Sequence, residues 1–227
     1  RVLFRSIYSG IENLTLVGVI SDGAGSQSQD WNSDSVDFAI TGRADYVIAG
    51  DPAQFKDFTS DNSSDFGLRI GGAAHWQDGD VGDGATPGSG LKDAPNVFAW
   101  TVDAQAEFQG ANLFAAVLAN HIDGEAGAAD ADNYGYLAQG GFYFADDMEL
   151  FGRWEFFDFE GLSDEPNIFT VGLNYYLNGQ ANKITADVGF ATEEMTGVFA
   201  SDSRGTEVDA SGDDGQIFFR FQWQLMI

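Results

Sequence analysis

The sequence predicts an all-β fold, specifically an antiparallel transmembrane β-barrel, and three patterns in the chain support this prediction. First, apolar and polar residues alternate over segments of about ten residues, which places the two kinds on opposite faces of strands. Second, long and short connections alternate along the chain. Third, Tyr, Trp and Phe recur near the ends of the apolar faces, as in an interfacial aromatic belt. We assign residues 1–227 to a single β-barrel domain.

The last segment, 216–227, shows the alternation most clearly. Every second residue is large and apolar, and the intervening residues are mostly polar. A soluble edge strand with such a face would promote aggregation, whereas a strand that crosses a lipid bilayer requires it. The competing interpretation is the central strand of a soluble β-sandwich. The apolar residues that we single out here are Phe219, Phe221, Trp223, Leu225 and Ile227.

Taken in order, the chain contains a strand remnant at 1–8 and ten further strands. A tight turn at Ser9–Gly10 separates the remnant from the next strand. For the segment 112–121 the alternation does not decide which residues face outward. The connection 49–65 is unusually long, and we expect its Phe55 and Phe58 to pack against another part of the protein, with a short helical turn. The ten predicted strands are 13–20, 36–48, 66–77, 98–108, 112–121, 134–145, 149–157, 167–177, 182–191 and 216–227.

The lengths of the connections predict an orientation. Five loops rich in Gly, Asp and Ser are long, and they alternate with connections that are short apart from 49–65. Outer-membrane barrels carry long loops outside and short turns in the periplasm. This predicts a cell outer membrane location with a periplasmic C-terminus. The long loops are 21–35, 78–96, 122–133, 158–166 and 192–215, and the other short turns are 109–111, 146–147 and 178–181.

Composition narrows the possible functions. The formal net charge of −26 argues against a nucleic-acid partner, because phosphate binding requires clustered Lys and Arg. The absence of Cys excludes disulfides and thiol chemistry. The longest apolar run, 113–119, is far shorter than the roughly 20 residues of a membrane helix. The chain opens on Arg1 without a signal peptide. We expect an export signal and further barrel strands upstream of Arg1.

The polar faces of the predicted strands carry both signs of charge. Five of the chain's ten Lys and Arg residues fall on them, together with carboxylates. Either these ions pair across strands and keep the wall polar, or the cations line an ion path. The candidate pore-lining residues are Arg43, Arg69, Arg153, Lys183, Arg220, Asp103, Glu107, Glu149, Glu155 and Asp187. The candidate membrane-girdle residues are Tyr46, Trp76, Trp100, Phe108, Tyr134, Phe144, Trp154, Tyr175 and Trp223.

Two resemblances add to this interpretation. The terminal strand resembles the C-terminal assembly signal of bacterial outer-membrane barrels, which implies the barrel-assembly machinery as a partner, although Ile227 stands where Phe or Trp is usual. The segments 171–179 with 183–187, 40–46 and 149–155 resemble the phosphate-selective porin O and P family. That resemblance implies the C-terminal part of a trimeric, water-filled barrel of about 16 strands. Phosphate selectivity is neither supported nor excluded, because arginines and carboxylates are nearly balanced on the wall.

Signals for other chemistry are weak. The segment 78–84 suggests a calcium loop but lacks an acceptor at its fifth position, Gly82, and the closing Glu, where Ser89 stands. His75 and His121 lack the spacing of metal ligands, so we predict no metal site. No nucleophile elbow or phosphate-binding loop is present, and the protein is predicted not to be an enzyme. We expect no cofactor beyond weak divalent-cation binding by the acidic loops.

The sequence therefore predicts a passive outer-membrane porin in which a water-filled barrel admits small hydrophilic solutes or ions. Its expected partners are outer-membrane lipid, two further copies of the chain, and the diffusing solutes. The alternative is a structural or surface-interaction barrel whose lumen is blocked and whose acidic exterior loops bind cations, proteins or surface polymer.

Overall fold

The computed structural model describes residues 2–21, 36–56, 58–59, 64–79, 96–123, 129–161, 165–193 and 215–226. In this part of the chain, 11 strands and one short 3-10 helix are present. The strands are β1 (Val2–Ile11), β2 (Leu14–Ser21), β3 (Val36–Ala49), β4 (Gly67–Gly79), β5 (Val97–Phe108), β6 (Ala111–Ile122), β7 (Ala131–Ala145), β8 (Met148–Phe159), β9 (Asn167–Asn178), β10 (Asn182–Ala191) and β11 (Gln216–Leu225), and the 3-10 helix is Pro52–Lys56.

All 11 strands belong to one antiparallel sheet in which the spatial order follows the chain order from β1 to β11. Each strand therefore pairs with its neighbours in sequence, as in a simple meander. The sheet is open, with β1 and β11 as its two edges. The predicted all-β, antiparallel class is confirmed, and the predicted N-terminal remnant is a full strand. No helix in the described part of the chain is long and apolar enough to cross a membrane.

The two faces of the sheet differ in polarity, as the alternation predicts. In the β10–β11 pair, Val188 lies opposite Phe219 on one face, and Asp187 lies opposite Arg220 on the other. We call these the apolar face and the polar face. The side chains of the apolar face are exposed: Phe219 is 80% exposed, and Val171, in the middle of β9, is 54% exposed. The large hydrophobic residues are thus turned outward instead of forming a core.

The first turn differs from the prediction. Ser9 and Gly10 lie inside β1, and the chain reverses at Glu12–Asn13, where Ile11 pairs with Leu14. Asn13 adopts a positive φ of 62°, a conformation that Asn tolerates better than most residues. The Ser-Gly pair resembled a turn signal, but the chain turns two residues later, where Asn13 adopts the left-handed conformation.

Several strand ends also differ from the prediction. β7 begins three residues earlier than predicted, at Ala131, and β4 begins at Gly67 instead of Phe66. The turn between β5 and β6 contains Gln109 and Gly110, both with positive φ, while Ala111 already belongs to β6. The predicted turn at Asp146–Asp147 is confirmed. Ile227 and most of the five long loops lie outside the described residues.

Candidate functional site

The candidate site is the polar face of the sheet. The register places all ten predicted pore-lining residues on this face. The register also settles β6, for which the sequence was ambiguous. Asn112 lies opposite Glu107 and Gly141, so Asn112, Phe114 and Leu118 belong to the polar face. Arg5, in the strand that was predicted as a remnant, lies on this face too, in line with Val19 and Thr41.

A cluster of charges joins β3, β4 and β5. Arg43 Nε donates a hydrogen bond to Asp45 Oδ2 at 2.9 Å, and its Nη1 donates to Asp103 Oδ2 at 2.7 Å. Arg69 Nη2 lies 4.0 Å from Asp103 Oδ1 and donates to Gln105 Oε1 at 2.9 Å. Charge-assisted hydrogen bonds that use both sides of a guanidinium are among the strongest in proteins. We call Arg43, Asp45, Arg69 and Asp103 the arginine cluster.

Gly71 makes room for the arginine cluster. It sits between Asp45 and Asp103 in the register of β3, β4 and β5. A Cβ atom at this position would collide with Arg43 Nη2, Asp45 Oδ1 and Asp103 Oδ1. The guanidinium therefore crosses β4 directly above a residue without a side chain. Sequence reasoning missed this role, because only the register shows which glycine lies beneath which charge.

Glu149 forms a second buried polar centre, on β8. Its side chain is 2% exposed. Oε1 accepts a hydrogen bond from Asn112 Nδ2 at 2.8 Å, and Oε2 accepts one from Asn174 Nδ2 at 2.8 Å and one from Tyr176 Oη at 2.6 Å. The carboxylate is thus held by three neutral donors from β6 and β9, as buried polar groups require. These donors carry no charge, so the pattern of charges in the sequence does not reveal them.

The remaining predicted cations also have nearby partners. Arg153 Nε lies 3.0 Å from Glu155 Oε2, without hydrogen-bond geometry. Arg220 Nε donates to Asp187 Oδ1 at 2.9 Å. Lys183 differs, since its Nζ lies 5.8 Å from the centre of the Tyr176 ring. Four of the five predicted cations thus lie within ion-pair distance of a described carboxylate. Arg43, Arg69 and Arg220 reach a carboxylate on another strand, whereas Arg153 and Glu155 lie on the same strand.

Three of the predicted pore-lining carboxylates are almost fully buried. Asp103 is 6% exposed, Glu107 is 1% exposed and Glu149 is 2% exposed. Their oxygens bind neighbouring side chains; Glu107 Oε1, for example, accepts a hydrogen bond from Gln105 Nε2 at 2.8 Å. These residues hold the wall together, whereas Arg43, Arg69, Arg153, Lys183 and Arg220 are partly exposed.

A cavity of about 890 Å³ lies over the polar face between β6 and β11. Its lining includes Glu149, Arg153, Lys183 and Arg220, and also Lys56 and Phe58 from the connection between β3 and β4. The side chains around this space are mixed in charge and mostly able to form hydrogen bonds, so it suits water and hydrophilic solutes.

An apolar patch on the polar face was not foreseen as a unit. Phe157 and Phe159 stack with ring centres 6.0 Å apart, and both line a smaller cavity of about 350 Å³ together with Leu118. Their side of the sheet follows from the pairing of Gly135 with Phe157 and Leu118. Alternation predicted polar residues here, and these positions depart from it.

The girdle and assembly-signal residues occupy the apolar face. All nine predicted girdle side chains are exposed there, at 37% or more. Most lie within a few residues of a strand end, but Trp154 lies in the middle of β8, so the prediction that it belongs to a girdle at the strand end does not fit its position. The described assembly-signal residues Phe219, Phe221, Trp223 and Leu225 lie on the apolar face of the edge strand β11.

Neither histidine lies in a recognisable metal site. His75 Nδ1 is 2.8 Å from Thr41 Oγ1 on the polar face. His121 contacts Asp132 and Asp123 at the end of β6. Among the described residues, no group of three or more His, Asp or Glu side chains is arranged to hold a metal ion. The acidic segment 80–84 lies outside the described residues.

The fold and the site define a class of protein built on one open, antiparallel sheet with an exposed apolar face and a charged polar face. Two solved structures are similar to it. "Outer-membrane expressed OmpT of Vibrio cholerae" is 15% identical with a TM-score of 0.45, covering 91% of this chain and 65% of that one. "OmpT (in-vitro folded), an outer membrane protein Vibrio cholerae (trimer form)" is 14% identical with a TM-score of 0.46, covering 91% and 64%. This chain thus spans somewhat less than two thirds of either length.

No protein-family model and no curated protein matches the chain. The resemblance to the phosphate-selective porin O and P family therefore stays a hypothesis.

Proposed function

We propose that the protein is an outer-membrane porin through which small hydrophilic solutes or ions diffuse passively. One observation carries the proposal: a single sheet exposes its large apolar side chains on one face and lines a cavity with hydrogen-bonding and charged groups on the other. A bilayer satisfies the first face, because lipid replaces a protein core there. Water satisfies the second, because charged groups stay solvated in a wide lumen.

The proposed mechanism is diffusion without catalysis or a cofactor. Among the described side chains of the polar face, the strands carry six cations and six carboxylates, so these charges balance. Such a wall stays wettable without a strong field of either sign, so we expect weak discrimination between anions and cations. The cations are Arg5, Arg43, Arg69, Arg153, Lys183 and Arg220, and the carboxylates are Asp45, Asp103, Glu107, Glu149, Glu155 and Asp187.

The proposal includes four further points that follow from the sequence. The functional unit is a trimer of closed barrels, each with about 16 strands, similar to the phosphate-selective porins. The short turns face the periplasm, and so does the C-terminus. The terminal strand binds the barrel-assembly machinery. In the closed barrel, the edge strands β1 and β11 both pair with further strands, because unpaired backbone groups at a strand edge are very costly in lipid.

Single-channel recording in a planar bilayer under a salt gradient tests the proposal. We expect discrete conductance steps with a reversal potential near zero, because the charges of the polar face are balanced. An absence of steps from protein that is demonstrably folded and inserted would contradict the channel and favour the alternative, a structural barrel with a blocked lumen. A strongly anion-selective or cation-selective reversal potential would show that residues beyond those described control the path.

A further inference from the structure

The connection between β3 and β4 crosses the polar face of the sheet. We call its described residues 50–56 and 58–59 the strap. It begins with Gly50 at a positive φ of 90° and continues into the 3-10 helix. The helix start is stabilised by Asp51, whose Oδ1 accepts a hydrogen bond from the backbone nitrogen of Ala53 at 2.8 Å. The strap thus has a defined local structure.

Four contacts attach the strap to strands that lie progressively farther along the sheet. Phe55 is 6% exposed, and its ring lies 5.8 Å from the guanidinium of Arg69 on β4. Gln54 Nε2 donates to Glu107 Oε2 on β5 at 3.5 Å. The Phe58 ring packs edge-on against Phe114 of β6, with centres 4.8 Å apart. Gln180, in the turn between β9 and β10, donates from Nε2 to Thr59 Oγ1 at 3.3 Å.

These contacts require a curved sheet with the strap on its concave side. Five to six strand spacings, about 24–29 Å along the sheet, separate β4 from the turn between β9 and β10. The backbone from Phe55 to Thr59 reaches at most about 14 Å. Side chains extend that reach at both ends, and the contacts of Phe58 and Thr59 carry the strap over the polar face toward the far strands.

Several other features support a role for the strap in the passage. Lys56, Phe58 and Thr59 line the cavity of about 890 Å³, so the strap forms one side of the space that the strands enclose on the other. Lys56 is exposed, whereas Phe55 is buried. The 3-10 helix thus directs the side chain of Phe55 toward the sheet and leaves the side chain of Lys56 exposed. The strap lies at the end of the sheet where the connections are otherwise short turns.

We infer that the strap is the constriction element of the proposed channel: it narrows the passage at the turn end of the sheet and sets the size limit for solutes. The inference rests on the proposed function. Phe58 and Thr59 hold the strap across the opening, and Lys56 lines the remaining gap. The connection length that was exceptional in the sequence then has a purpose, because a short turn cannot reach across the concave face.

Two variants test the inference in the native, membrane-inserted protein. The double variant Phe58→Ala with Thr59→Ala removes both distal attachments. We expect its single-channel conductance to rise about twofold, because the narrowest cross-section limits flow through a water-filled pore. Swelling of proteoliposomes in sugars of graded size should show a larger size limit. Phe66→Ala is the matched control, since Phe66 is 55% exposed at the end of the same connection.

A second measurement uses the absence of cysteine from residues 1–227. Lys56→Cys is modified with a bulky, water-soluble maleimide during recording, and we expect most of the conductance to be lost. Asp65→Cys, an exposed position in the same connection, should keep its conductance after the same treatment. If the wild-type channel conducts, and neither the double variant nor the maleimide label at position 56 changes the conductance, the inference is overturned while the proposed channel function is retained. If the inserted wild type does not conduct, the proposed function itself fails.

Discussion

Arg43→Ala is expected to destabilise the protein by about 3 kcal/mol, the lower end of the cost of leaving a buried ion pair without one partner. Asp103, which is 6% exposed, would lose two hydrogen bonds from Arg43, and Asp45 would lose both of its own. The two carboxylates would then face each other across the gap above Gly71, with Arg69 4.0 Å from Asp103 as the nearest cation. Urea unfolding of the protein in bilayers or micelles, followed by tryptophan fluorescence, measures the loss.

A double-mutant cycle supplies the control for that result. Asp103→Ala alone and the pair with Arg43→Ala are measured under the same conditions. We expect a coupling energy of about 1–3 kcal/mol, because the two side chains share hydrogen bonds. Arg220→Ala is a matched comparison: Arg220 donates one described hydrogen bond to Asp187, whereas Arg43 donates four to its two carboxylates, and we expect a smaller loss of stability. Equal, small effects of Arg43→Ala and Arg220→Ala would contradict the proposed role of the arginine cluster.

Val171→Arg is expected to lower the free energy of unfolding by about 2–4 kcal/mol, which is the cost of a cationic side chain that faces lipid near the middle of a bilayer. Val171 is 54% exposed on the apolar face, in the middle of β9 and opposite Val188. In a soluble protein, a change from valine to arginine at such an exposed position would cost little. The free energy of unfolding in lipid vesicles therefore reports on the solvent that this face contacts.

Gln222→Arg is the matched control for that variant. Gln222 lies on the polar face of β11, opposite Thr185, and its side chain is exposed. The same cation introduced there meets water, and we expect a change within about 0.5 kcal/mol. Similar losses for the two variants, or a small loss for Val171→Arg, would show that lipid does not cover the apolar face.

Much of the fold was predictable because the side-chain period of a strand is two residues. That period fixes where strands exist and which residues share a face, and it located Arg43, Asp103 and Glu149 on the same side of the sheet. It does not fix turns: Ser9–Gly10 has the composition of a turn, yet the chain turns at Asn13. It also failed for β6, where both faces are apolar and only pairing with β5 and β7 determines the facing.

The candidate site was less predictable, because its contacts depend on register between strands that lie far apart in sequence. Arg43 and Asp103 are 60 residues apart, and Gly71 between them has no side chain to attract attention. The donors to Glu149 are neutral, so a search for charges could not find them. The strap was partly predictable, because its length and its two phenylalanines are visible in the sequence. Its contact with Gln180 was not, because only the folded sheet brings the two segments together.

Spin-label accessibility along β10 tests most directly whether one face of this sheet meets lipid and the other meets water. Single cysteines replace Lys183, Ile184, Thr185 and Val188 in the cysteine-free protein, which is then labelled with nitroxide and inserted into vesicles. We expect labels at 184 and 188 to collide mainly with lipid-soluble oxygen and labels at 183 and 185 to collide mainly with a water-soluble nickel chelate. Equal access of the nickel chelate to all four positions would contradict a membrane-spanning sheet with a water-filled polar face.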